Sequence, residues 1–328
     1  MSLLYKRSVL LAKIETTPGT AESLSASDGE HNIYEAVLTP SIDMVEREVQ
    51  GGFARVASVP AGYRGQCTFT TYFDGWDGSS TKPAWASKFL PACGWVLKGG
   101  TDLFRPVTEA PGSNVKTLTI ELYRDGRKAQ LTGAMGSFVI NIAPGQPPSI
   151  NWTFEGVWQG VSDASVPSPT LPTEKPLRYA GENADASWNS ARMCFQNATI
   201  DSGNTLYVRP CGRNPADQAA AGFVNTLVTD RIPRATINPD AVLVATQDRY
   251  GKLLDMSEHA LDISIPGPAG AVSDASVDIS MPDAQLVSAA DADREGLLSD
   301  ALEFQANLDS SNGVDHELQI EFTPLADA

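Results

Sequence analysis

The stretch from Leu118 to Trp158 constrains the fold more than any other, because its side chains alternate apolar and polar through successive runs joined by turn chemistry. Leu118-Thr-Ile120-Glu-Leu122 alternates and then meets Asp125-Gly126, the strongest short hairpin signal. Phe138, Ile140 and Ile142 follow on one face with Val139 and Asn141 between them. After Ala143-Pro-Gly-Gln-Pro-Pro148, Ile150, Trp152 and Phe154 alternate with Asn151, Thr153 and Glu155. A period of two sends one set of each strand to a core and the other to water or a neighbouring surface. Two hairpins placed end to end, each with one apolar face, are the material of sandwiches and barrels.

The chain has 328 residues, 42% hydrophobic and 20% charged. That is enough to bury a substantial core and suits two modules better than one. No apolar run approaches the eighteen or so residues of a membrane helix, and Ser8–Ile14 is too short and too closely flanked by Lys and Glu for a signal-peptide core. The expectation is an unexported chain with no membrane partner. Cys67, Cys93, Cys194 and Cys211 lie far apart without metal-site spacing and read as reduced, mostly buried thiols.

Charge is distributed unevenly. Residues 1–180 hold 16 Lys and Arg against 17 Asp and Glu, whereas residues 181–328 hold 8 against 23. An acidic excess of that size opposes a grip on nucleic acid, since affinity for phosphates comes from Lys and Arg. It suits a surface past which DNA slides without sticking.

Along the chain, Leu3–Ile14 is apolar with Lys6, Arg7 and Lys13 interspersed, and Thr16–Thr20 is a turn. Residues 19–30 read as a loose arm. Ile33–Met44 and Val59–Phe73 read as strands flanking an exposed loop through Glu46–Glu48 and Gly51-Gly52. Lys82–Trp95 is the best helix of the first half: Pro83 suits its start, Trp85, Phe89 and Cys93 share a face, Gly94 stops it, and Pro91 shortens or kinks it. Ser162–Pro176 is dense in Ser, Pro and Thr and marks a boundary. Beyond it, Cys194–Arg209 reads as a hairpin turning at Asp201–Asn204, Ala216–Ala221 as a helical turn, and Asn312-Gly313 as the turn of a last hairpin. The expected organisation is an arm over 1–30, a β-module over 31–161, a linker over 162–178 and an acidic β-rich module over 179–328. An internal duplication is open.

The chemistry-bearing motifs are mostly missing. There is no GxSxG, no P-loop, no GxGxxG and no HExxH, and His31, His259 and His316 sit in polar surroundings that favour exposure. Asp291-Ala-Asp293-Arg-Glu295-Gly296 resembles a calcium loop, but Leu302 stands where the bidentate glutamate belongs, so it reads as an acidic surface loop. Asn151-Trp-Thr153 and Asn197-Ala-Thr199 are formal glycosylation sequons on expected strands. No catalytic, cofactor or metal residue is nominated.

One set of motifs, in order, resembles a known family. Leu10-Leu-Ala-Lys13-Ile-Glu15-Thr-Thr-Pro18-Gly-Thr20 is followed by Leu38-Thr39-Pro40 and Glu46-Arg47. Pro60-Ala-Gly62-Tyr-Arg64-Gly65 then leads into a strand, Pro83-Ala-Trp85 runs on to Phe89-Leu-Pro91-Ala-Cys93-Gly-Trp95, and Leu131-Thr-Gly133-Ala-Met135-Gly-Ser137-Phe138 closes the series. Together they are similar to the N-terminal half of the tail tube proteins of long, non-contractile-tailed phages, over residues 5–160. Pro91 departs from the polar or basic residue expected there.

The resemblance implies a mainly β fold: an antiparallel sandwich with a flanking short helix, plus the second β-rich module. It implies a structural virion protein, not an enzyme, assembled in the host cytoplasm into stacked hexameric or trimeric pseudo-hexameric rings through which DNA leaves without specific binding. Tape-measure, tail-tip and tail-terminator proteins would be its other partners. By the same analogy Asn141, Asn151, Thr153 and Glu155 would face the lumen, and Lys6, Arg7, Lys13, Arg47 and Arg55, on arms that order on stacking, would make contacts between rings. A carbohydrate-binding β-sandwich is the alternative from another class, and a hydrolase using a carboxylate pair is a third.

Overall fold

In the computed structural model the described residues are 3–30, 33–53, 55–75, 82–99, 101–168, 176–181, 183–211, 222–267 and 276–323. The fold is mainly β and antiparallel. The first half supplies β1 (Ser8–Ile14), β2 (Gly29–Glu30), β3 (Ile33–Glu48), β4 (Arg55–Tyr72), β5 (Trp95–Leu97), β6 (Leu103–Pro106), β7 (Leu118–Arg124), β8 (Arg127–Ile142) and β9 (Ser149–Asp163). The second supplies β10 (Asp185–Trp188), β11 (Ala191–Arg192), β12 (Phe195–Asp201), β13 (Asn204–Pro210), β14 (Phe223–Arg231) and β15 (Arg234–Pro239). After these come β16 (Glu258–Ile265), β17 (Ser276–Arg294), β18 (Leu297–Ala306) and β19 (Gln319–Thr323).

The alternating stretch forms a three-stranded meander, β7-β8-β9, with the Asp125-Gly126 turn where the sequence puts it. Phe138, Ile140, Ile142, Ile150, Trp152 and Phe154 are all buried. Thr119 and Glu121 of β7 are buried too: the segment after β1 covers Thr119, whose hydroxyl accepts from Glu22 N, and Glu121 accepts from Tyr123, Lys128 and Gln130. Ser8–Ile14, inside the segment read as an arm, pairs with β7 along its whole length and buries Leu10, Leu11 and Ala12.

Between β4 and β5 the expected helix is shorter than its pattern: a π-helical turn, Trp85–Phe89, runs into α1 (Leu90–Ala92). Pro91 has no N–H to offer the carbonyl of Ser87 and its ring needs room there, which the widened turn provides. Trp85, Phe89 and Cys93 point into the core as predicted. There Phe89 meets Phe69 at 5.1 Å and Trp152 at 5.4 Å between ring centroids, and Trp95 meets Phe138 at 5.4 Å. Each such fully buried aromatic contributes about 2–3 kcal/mol relative to exposure.

The second half repeats the strand order of the first. In the first half the neighbours run β3-β4-β9-β8-β7-β1, with the helix between β4 and β7 in the chain. In the second they run β12-β15-β18-β17-β16-β10, and α2 (Arg249–Asp255) falls between β15 and β16. The two units meet edge to edge where Val139–Ile142 of β8 pair with Ala198–Asp201 of β12. One sheet therefore runs β3-β4-β9-β8-β12-β15-β18-β17. β19 ties the units a second time, pairing with both β17 and β6, and Phe322 packs on Trp85 at 5.3 Å.

Several local expectations fail for tertiary reasons. Asp201–Asn204 is not a hairpin turn: β12 pairs with β15 and β8, β13 pairs with β14, and the chain bends at Ser202-Gly203 because buried Ser202 binds β8. Asn312-Gly313 lies in a tight loop, but β19 goes to β17 and not to β18, so no last hairpin forms. The acidic stretch at Asp291–Gly296 is at the surface as read, but as a hairpin tip: Asp291–Arg294 ends β17 and Glu295-Gly296 turns into β18. His316 is buried and His259 half-buried against Trp188, 5.8 Å between rings. Cys67 and Cys93 are buried, as expected of structural thiols, while Cys194 is exposed; burial pushes the Cys67 thiol up to about 12. The expected helical turn at 216–221 and His31 lie outside the described residues.

Candidate assembly surfaces

The long sheet has one apolar and one polar face, because its strands alternate in phase. On the core side lie Cys67 and Phe69 (β4), Trp152 and Phe154 (β9), Phe138 and Ile140 (β8), Ala198 and Ile200 (β12), Ala235 and Ile237 (β15), and Leu302 and Phe304 (β18). The opposite side carries short polar groups in register. Asn151 opposes Thr70 and Val139, Asn141 opposes Thr199, Thr199 opposes Thr236, and Thr236 opposes Glu303.

All four lumen candidates stand on this polar face. Asn151 is exposed and its Oδ1 accepts from Thr70 Oγ1 at 2.9 Å; Asn141, Thr153 and Glu155 are half-buried beside their cross-strand neighbours. Sequence reading missed that Thr68, Thr199, Asp201, Thr236 and Glu303 share it. The adjacency of β12, β15 and β18 to β8 was not legible. Arg234 also lies here, held by Glu303 at 2.6 Å. A face of hydroxyls, amides and acids with its arginine engaged has little to offer a phosphate.

The basic residues separate into two groups. Arg47 and Arg55 lie near the tip of the β3–β4 hairpin, Arg47 donating to Ala57 O at 2.8 Å and Arg55 pairing with Glu46. Lys6 is exposed before β1. Arg7 pairs with Asp125 at 2.9 Å, whose Oδ2 accepts from Leu4 N at 2.7 Å, and Lys13 donates to Ser23 O at 3.2 Å. The two bonds to Asp125 hold the first residues against the β7–β8 turn.

Behind β1 sits a buried carboxylate. Glu15 accepts from Gly19 N at 2.7 Å, Gly133 N at 2.7 Å, Thr117 Oγ1 at 2.6 Å and Thr119 Oγ1 at 2.9 Å, so it fastens the segment after β1 to β7 and β8. Burial raises its pKa against the pull of those four bonds.

The β3–β4 hairpin reaches far beyond its module. From Thr39 to Ala61 every described residue is exposed, among them Ile42, Met44, Val45, Val49, Phe53, Val56 and Val59. Its counterpart in the second unit is not exposed in this way: β13 and β14 form a separate two-stranded ribbon that lies across β8 and β9. Among the described residues no cluster of three or more His, Cys, Asp or Glu could hold a metal ion, and no helix is long and apolar enough to cross a membrane.

Two units of one strand order share one sheet, which has a polar face and one projecting apolar hairpin, and the protein is mainly β. The chain belongs to the phage tail tube protein family, whose model matches residues 6–306. No curated protein matches it. Membership makes the chain a structural component of the virion tail.

Proposed function

We propose that this chain self-assembles into rings that stack into the hollow tail tube, through which DNA is ejected. The observation that carries this reading is the repeated strand order. A sheet whose two units already join edge to edge, and whose outer edges, β3 and β17 past Leu286, pair among the described residues with β4 and β18 alone, closes by adding copies until no edge is free. Six units close the ring, so three chains make it pseudo-hexameric. The face bearing Asn141, Asn151, Thr153 and Glu155 lines the lumen, and the engagement of its Arg234 by Glu303 lets DNA pass. Lys6, Arg7, Lys13, Arg47 and Arg55 lie on segments that meet the next ring. Assembly takes place in the host cytoplasm, around a tape-measure protein, from a tail-tip complex and up to a terminator.

The test is electron microscopy of the purified chain across concentration, with end views averaged to count subunits. Hollow tubes with three chains per ring are expected. Rings of six chains would put the second unit outside the barrel. A chain that stays monomeric even when offered a tail-tip nucleus would overturn the tube reading.

A further inference from the structure

A cleft of about 710 Å3 opens between the two units where β14 leaves the ribbon. One bank is β14 and its exit, residues 227–233. The other is the first unit's loop after β6, residues 107–111, with Val115. The end of β18 and the segment before β19, residues 305–308 with Val314, Asp315 and Glu317, close it. That volume falls within the roughly 300–1,000 Å3 of ligand clefts, which is room for a few residues of chain and not for a domain.

The cleft runs along an edge of β14 and not over one of its faces. Successive residues of a strand point to opposite sides, yet 227–231 all border the cleft and no residue of β13 does. Among the described residues β14 pairs with β13 alone, so this edge keeps backbone N–H and C=O groups to offer. A bulge at Thr229 interrupts the ladder with β13 and limits a regular partner strand to a few residues. Val107, Val115, Leu227, Ile232, Leu308 and Val314 supply the apolar lining, the last two 60% and 73% exposed. The charged lining is four carboxylates, Glu109, Asp230, Asp315 and Glu317, against one cation, Arg231. That cation is engaged: its Nε donates to Glu317 at 2.6 Å and its second amino group to Asp315 at 3.1 Å. Asp315 also accepts from Thr108 N at 3.1 Å and from Thr108 Oγ1 at 2.5 Å, which ties the two banks together. Glu109 and Asp230 are exposed at the mouth.

We propose that this cleft binds a short extended segment of another protein, in which aliphatic side chains alternate with Lys or Arg, laid as a third strand against β14. The open edge supplies backbone hydrogen bonds, the apolar lining takes one set of alternate side chains, and the acidic mouth takes the other. The chain's own stretch of aliphatic and basic residues, 3–14, already lies against β7 and the β7–β8 turn, so the occupant is a different chain and not a second copy. This site goes beyond the ring reading and does not depend on it.

The probe is a short fluorescein-labelled peptide of alternating Val and Lys, titrated with the full chain and read by polarisation. Saturable binding is expected, with slower hydrogen exchange at 227–231 when the peptide is added. Glu109→Lys with Asp230→Lys, both at exposed positions, should weaken binding about tenfold or more and leave the melting temperature unchanged. Leu308→Ser with Val314→Ser should weaken it through the apolar lining alone. Peptides of the same length that alternate Val with Glu, or Ser with Lys, should bind far more weakly. Equal binding of the Ser–Lys peptide would reduce the effect to general attraction toward an acidic surface and overturn the proposal. Protection at β3 or β17 in place of β14, or no binding at millimolar peptide, would overturn it as well. So would a chain that dimerises by itself and is dissociated by the peptide, since the cleft would then belong to a second copy.

Discussion

Glu15 shows how much of the first unit hangs on one side chain. Its two oxygens receive four donors, two of them backbone N–H groups that cannot reverse direction. In Glu15→Gln one oxygen becomes an NH2 facing at least one N–H, which leaves a buried donor unpaired. We expect a loss of about 2 kcal/mol in chemical denaturation. Because burial holds the folded pKa above its ordinary value, the folded state binds the proton more tightly than the unfolded chain. That contribution is complete below the ordinary carboxylate range and is lost as pH rises through the raised value. The advantage of wild type over Glu15→Gln should therefore narrow with rising pH. Denaturation series at several pH values check the sign.

At the scale of elements, the bend between β12 and β13 decides where a ribbon goes. Gly203 has φ +64°, and a Cβ there would come within 1.9 Å of Ile232 O. Ser202-Gly203 on one strand and Ile232-Pro233 on the other break the ladder together, and Pro233 has no N–H to give it. Gly203→Ala must push the ribbon off the first unit. We expect a cost of about 2 kcal/mol or more, with faster hydrogen exchange along β13 and β14 than along β8. Unchanged exchange in the ribbon would show that the bend is not what aims it. β3–β4 has no such break: its pairing continues through bulges from Ile33 to Glu48, and the hairpin stays extended. A two-stranded hairpin of that length with aliphatic side chains in water is marginal by itself and gains most by covering another surface.

At the scale of the molecule, charge sets the conditions for assembly. A ring of these chains would alternate a nearly neutral unit with one of net −15, from 8 basic and 23 acidic residues in 181–328. Repulsion between acidic units is screened within about 10 Å at roughly 0.1 M salt and within about 3 Å at roughly 1 M. The concentration needed for tubes should fall as sodium chloride is raised across that range, as read by light scattering or sedimentation. The same tubes should retain no duplex DNA at low salt, where phosphate binding would be strongest. A rising threshold with salt would mean that ion pairs across the seams outweigh the repulsion.

The sequence by itself determined the class of the fold and the faces of its strands. Alternation from Leu118 to Phe154 separated core from surface correctly for β8 and β9, since a period of two is a local property of extended backbone. The ordered motifs between Leu10 and Phe138 carried the family. Only the tertiary structure decided what pairs with what. Asp201–Asn204 has the composition of a turn, yet Ser202 finds β8 and the chain goes on as a bend. Asn312-Gly313 promises a hairpin, yet β19 crosses to β17 and β6. The equivalence of the two units was invisible in side chains because pairing order is set by backbone hydrogen bonds between distant segments, which different residues satisfy equally well. For the same reason Glu15 stood in the open as a motif residue while its burial, made by four donors from distant parts of the chain, waited on the fold.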